Sequence, residues 1–184
     1  MRRALVFLLM LAVSGCGFLK RPPNQFYSLE TVEGTVRNVT GLPVGIDGIQ
    51  LPPGLDRRGI VVRGTDNRFE VRGTHQWASD LEEMVIHTLA FNLASRLPNG
   101  MVIVPGQAKP SAMRALYVTF EDLAAGEDGV FVLDARWTLI EPGAPERAGR
   151  ERITVTPASK ESAALVTAMN QALAQLADRL VAGL

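Results

Sequence analysis

Apolar residues recur along this chain at two periods, and the switches between them mark out its elements. A period of two, the signature of a half-buried strand, appears first in Phe26-Tyr27-Ser28-Leu29. The next run with apolar alternation is Val44, Ile46, Gly48, Ile49 and Leu51, stopped by Pro52-Pro53-Gly54. Residues 60–65 and 69–74 read as two short strands joined by Asp66-Asn67-Arg68, whose polar side chains suit a tight turn. Residues 101–104 form a short buried strand. Leu116, Val118 and Phe120 then alternate toward a turn at Gly126-Glu127-Asp128-Gly129, and Phe131, Leu133, Ala135, Trp137 and Leu139 alternate after it. Thr119, Glu121, Arg136 and Thr138 fall on the opposite, wetter face of that hairpin. Residues 150–156 supply one more antiparallel strand after an exposed loop at 141–149.

A period near 3.6 appears twice. Ser79-Asp80-Leu81-Glu82 has the spacing of a capping box, and Leu81, Val85, Leu89, Leu93 and Leu97 follow at every fourth position. Met84, Phe91 and Ala94 widen that stripe, and Pro98-Asn99-Gly100 ends it. Ser159 is placed to cap a final helix, with Glu161 in its first turn and Leu165, Met169, Leu173, Leu176 and Leu180 as its apolar face. Strands, helix, strands, helix is the order of an α+β fold: a mostly antiparallel sheet with two amphipathic helices packed on one face.

Composition excludes more than it assigns. The 184 residues carry 19 Lys and Arg against 19 Asp and Glu, a balance that gives no electrostatic grip on nucleic acid. The N-terminus changes the picture. Arg2 and Arg3 precede an apolar stretch at 4–13, then Ser14-Gly15 and the only cysteine, Cys16. Such a stretch rises only about 15 Å as a helix, half of the roughly 30 Å hydrocarbon core of a bilayer, so it is a targeting segment and not a span. A single cysteine makes no disulfide within one chain. The run Leu11-Ala12-Val13-Ser14-Gly15-Cys16-Gly17 resembles a bacterial lipobox, which implies a signal peptide at 1–15 and acylation of the Cys16 sulfur and amine. Three acyl chains make membrane attachment permanent. In the sorting rule of such signals an aspartate after the cysteine retains a lipoprotein at the inner membrane; Gly17 stands there, which implies the outer membrane. Residues 16–25, with Lys20-Arg21-Pro22-Pro23, then read as a lipidated tether, and 26–184 as a single periplasmic domain.

Candidate chemistry is sparse. His75 and His87 lack partners at metal-ligand spacing, and the chain has neither a Walker-type glycine loop nor a nucleophile elbow. Glu82-Glu83 and Glu121-Asp122 are adjacent carboxylates, which point to different sides of a helix or strand. No cofactor, metal or catalytic residue is expected, and the chain reads as a non-enzyme. The repeat of Val62-Arg63-Gly64-Thr65 as Val71-Arg72-Gly73-Thr74 reads as two hairpin strands with related packing, with a ligand motif as the alternative.

After the lipobox, several segments carry a likeness in order and spacing through the first half of the domain: Phe26-Tyr27-Ser28-Leu29, Val44-Gly45-Ile46-Asp47, Leu51-Pro52, Leu55-Asp56-Arg57, Ile60-Val61-Val62-Arg63, and Trp77 before a helix containing Asn92-Leu93 and Leu97. Here the chain resembles the PqiC-like family of ABC-type transport auxiliary lipoproteins. One departure is Gly54, where the family often carries an aromatic residue. The resemblance implies a periplasm-facing lipoprotein that works with an MCE-domain protein in an ABC-type system moving lipids between membranes and supporting envelope integrity, and it is compatible with a ring of identical subunits. It marks Leu51, Pro52, Leu55, Asp56, Arg57, Arg63 and Trp77 as candidate partner-binding residues. Pairing of Asp56 with a nearby arginine and core packing of Trp77 are the structural alternatives. An accessory or pilot lipoprotein of another envelope complex, such as a secretin, is the alternative function.

Overall fold

A computed structural model describes residues 22–184; the predicted signal peptide, Cys16, Gly17 and the Lys20-Arg21 pair lie outside the described residues. The elements, in chain order, are β1 (Gln25–Tyr27), β2 (Val44–Gln50), β3 (Gly59–Arg63), β4 (Phe69–Trp77), α1 (Leu81–Ala94), β5 (Val102–Ile103), β6 (Arg114–Ala125), β7 (Phe131–Ile140), β8 (Arg147–Val155) and α2 (Ser162–Ala182). The class is α+β, as the order of periods predicts.

The sheet is mixed and not mostly antiparallel: among the described residues four of the seven strand pairings are parallel. The antiparallel ones, β3–β4, β6–β7 and β7–β8, join neighbours in sequence, where turn residues advertise the pairing. The parallel ones join remote strands and leave no local signal. The long strand β6 organises them. Thr119 pairs with Arg136 of β7 and with Gln50 of β2, while Ala125 pairs with Phe131 of β7 and with Val62 of β3. A strand has only two edges, so β2 and β3 occupy the same edge of β6, one after the other and in the same direction. Residues 51–58 are the excursion the chain makes between them. β5 extends the sheet beyond β2, and β4 followed by β1 extends it beyond β3.

Both predicted hairpins form. Between β3 and β4, Asp66 and Asn67 take left-handed φ values of 56° and 59°, and the Arg68 amide donates to the Thr65 carbonyl at 3.1 Å. Two consecutive left-handed residues make a type I′ turn, whose twist suits the strands it joins. Strand β8 begins at Arg147, so the predicted 141–149 loop is shorter than expected.

The helices lie side by side, α1 against β2 and β5, α2 against β6, β7 and β8. Leu81, Val85, Leu89, Leu93 and Leu97 are all buried, as are Leu165, Met169, Leu173, Leu176 and Leu180. Phe91 departs from the predicted stripe and is exposed beside His87. The capping residues also differ from expectation. Asp80, not Ser79, caps α1, its carboxylate accepting from the Glu82 amide at 2.9 Å and the Glu83 amide at 3.2 Å. At α2 the N-cap is Glu161, whose side chain makes no capping bond, and Ser159 Oγ accepts from the Glu161 amide outside the helix.

Between β1 and β2 the chain runs as an extended strap tied to both helices by polar side chains. The Glu30 amide donates to Asn170 Oδ1 of α2 (3.1 Å) and the Val32 amide to Asn92 Oδ1 of α1 (2.8 Å). Arg96 is 2% exposed and forms the knot: its Nη1 donates to the Val32 carbonyl and its Nε to Asp178 of α2 at 2.6 Å. A buried guanidinium is tolerated only when its donors are used in this way.

Candidate functional site

Alternation along β6, β7 and β8 sends Leu133, Ala135, Ile153 and Val155 toward α2 and leaves the other face of the sheet without a helix. That open face is built from charge. The β6–β7 ladder slips at Glu121: Phe120 opposes Ala135, but Asp122 opposes Asp134. This bulge reverses the alternation, so Glu121 and the following Asp122 share the open face instead of pointing apart as adjacent strand residues should. Asp122 and Asp134 are then directly opposed like charges, an arrangement that destabilises a sheet unless cations intervene.

Arginines intervene on every side. Arg150 donates through Nε and Nη2 to the two oxygens of Asp134 (2.8 and 2.9 Å), and Arg152 Nη1 donates to Asp134 Oδ2 at 2.8 Å. Arg150 also reaches Glu121 at 2.8 Å, and Arg136 pairs with Glu121 at 2.6 Å. Arg63, at the end of β3, pairs with Asp122 of β6. The Asp134 side chain is only 3% exposed beside the two arginines it pairs with. The Arg150 hydrogen bond, followed by that from Arg152, holds its carboxyl below the ordinary carboxylate range against the opposing effect of burial. At the far end of the sheet Asp47 is held low in the same way, first by Lys109 and then by the Tyr117 hydroxyl, which donates to it at 2.6 Å. The result is a surface of paired charges suited to meeting another folded surface.

The candidate partner-binding residues divide into three groups. Leu51, Leu55 and Trp77 are core residues: Trp77 packs among Ile60, Leu123, Phe131, Leu165 and Met169, so its role is to fill the space between β4 and α2. Pro52 is half-buried, while Asp56 and Arg57 are exposed at the crest of the excursion. Asp56 has no ion-pair partner among the described residues, and Arg57 Nε donates to the Gly54 carbonyl at 3.2 Å. Asp56, Arg57 and Arg58 line a cavity of about 470 Å³ with Phe26 and Gln76. Arg63 alone of the set belongs to the charged face. His75 has a structural role, its Nδ1 bonded to the Tyr27 hydroxyl at 2.8 Å with the rings stacked. Sequence reasoning missed Asp134, Arg150 and Arg152, which alternate like any solvated strand face.

Comparison with known proteins agrees with this architecture. The chain is 25% identical over 146 residues to the intermembrane transport lipoprotein PqiC of Escherichia coli, covering 78% of this chain and 76% of that one, and is equally similar to its Shigella flexneri counterpart. A crystal structure of an uncharacterized protein superposes with a TM-score of 0.71 at 23% identity, covering 86% of this chain and 97% of that one. Protein XCC0632 from Xanthomonas campestris superposes with a TM-score of 0.67 at 15% identity over 85% and 92% of the two chains. These two likenesses show the fold. A sequence model of the ABC-type transport auxiliary lipoprotein component matches residues 27–181, nearly the whole described chain, and the protein belongs to that family.

Proposed function

We propose that this protein is a lipoprotein anchored through Cys16 to the periplasmic face of the outer membrane, where it serves as a non-catalytic docking subunit for an MCE-domain protein of an ABC-type lipid transport system. The observation that carries the reading is the open face of β6–β8, where Glu121, Asp122 and Asp134 are locked to four arginines in a rigid surface and no nucleophile is paired with a base. Family membership supports a transport auxiliary role. Acylation of Cys16 confines that face to one membrane, and tethering raises its effective concentration toward the millimolar range, so a weak contact suffices.

The test is chemical cross-linking of the acylated protein in its native membrane, with identification of the captured partner. Capture of an MCE-domain protein, reduced by the charge reversal Arg136→Glu, is the expected result. Capture of a secretin instead would establish the pilot reading. Intact mass fixes the anchor, and a mature protein that begins at Cys16 without acyl chains would overturn it. Sorting is tested by Gly17→Asp, which shifts the protein to the inner-membrane fraction on a density gradient.

A further inference from the structure

A second cavity, about 410 Å³ in volume, adjoins the charged face at Arg63 and lies between the tip of the β3–β4 hairpin, the β6–β7 turn and the start of α2. Its apolar floor is formed by the buried Val62, Ala125 and Leu165, and the exposed Phe69 and cationic side chains stand around them as a rim. The repeated tetrapeptide supplies part of that rim. Arg63 and Arg72, the arginines of its two copies, both line the cavity, although the copies are offset along the hairpin, Arg63 opposite Phe69 and Arg72 opposite Ile60. Arg63 is neutralised by Asp122, but among the described residues no carboxylate pairs with Arg68, Arg72 or Lys160. Arg72 Nη1 donates to the buried Ser162 Oγ at 3.0 Å, and Lys160 Nζ to the Glu127 carbonyl at 2.6 Å, so both are positioned by neutral groups that leave their charge uncompensated. Glu70 and Glu127 also line the cavity and leave its balance cationic.

The position of this cavity follows from β1. That strand runs parallel to β4 with Gln25 opposite His75, so the chain preceding it approaches from the end of the sheet where β4 begins, at Phe69. Cys16 precedes Gln25 by nine positions, a reach of at most about 32 Å, while β4 from His75 back to Phe69 covers about 20 Å. The hairpin tip and its cavity therefore stand on the side from which an acylated Cys16 would hold the domain.

We propose that this cavity binds the anionic phosphate headgroup of a phospholipid at the membrane that holds the anchor, with Arg68, Arg72 and Lys160 around the phosphate and the apolar floor under the first carbons beyond it. The proposal rests on the anchored reading above. The test is titration of the full acylated chain, in neutral detergent, with short-chain phosphatidylglycerol, short-chain phosphatidylcholine and inorganic phosphate, read by native mass spectrometry. Saturable one-to-one binding of phosphatidylglycerol is expected, weakened at least tenfold in Arg68→Gln/Lys160→Gln and changed less than twofold in Arg57→Gln/Arg58→Gln, which alters the other cavity. Both altered positions are exposed, and an unchanged thermal transition separates lost binding from lost folding. Equal affinity for phosphatidylcholine, equal affinity for inorganic phosphate, or indifference to the Arg68/Lys160 change would each overturn it. If the chain captures its protein partner but binds no phosphatidylglycerol, the headgroup proposal falls and the docking reading stands.

Discussion

Asp134 is a carboxylate that spacing alone would leave in water, on the polar side of a strand, and that the arginines beside it remove from water. Removing it frees Arg150 and Arg152, which are more than half exposed and can rehydrate, so the loss is smaller than for a fully buried pair. Asp134→Ala is expected to cost about 1–3 kcal/mol in urea unfolding. Because the folded carboxyl titrates below its unfolded value of about 3.9, its contribution is complete above about pH 5 and is lost as pH falls through the folded value. The difference in stability between wild type and Asp134→Ala should therefore narrow below pH 4; a constant difference from pH 7 to pH 3 would contradict the assignment. The charges of this face could be read from the sequence. Their pairing could not: the Asp134 contacts depend on the β7–β8 register, and those of Glu121 and Asp122 on a bulge that alternation does not announce.

Elements whose signal is local were legible. Both leucine stripes and both hairpins follow from periodicity and turn residues within about twenty positions, and those contacts form as expected. The parallel pairings and the strap were not, since β1 against β4 or Asn170 against Glu30 joins segments with no shared pattern. The start of α1 separates two neighbouring candidates by experiment. Asp80→Ala should lower stability by about 1 kcal/mol in thermal or urea unfolding, while Ser79→Ala leaves it within about 0.5 kcal/mol; the reverse order would restore the capping box. At Gly34 of the strap a Cβ would overlap the pinned side chain of Arg96, just beyond α1. Gly34→Ala is expected to cost about 1–3 kcal/mol, measured in the same way.

At the scale of the whole molecule, the buried apolar cluster begins at Leu29 and draws on both helices and on strands from every part of the sheet. A chain lacking residues 1–21 should consequently fold, with a circular dichroism spectrum of mixed helix and sheet and a single cooperative transition, while failing to support envelope integrity in a deletion strain. Detergent resistance fully restored by that chain at wild-type abundance would show that confinement to a membrane is dispensable. The parallel entry of β1 beside β4 also has a mechanical meaning. Its backbone bonds to β4 are the evenly spaced, slanted bonds of a parallel pair. With the chain anchored through Cys16 as proposed, a pull along β1 would act in shear, straining its bonds to β4 together instead of peeling them one by one, and would pass onward through the strap to both helices.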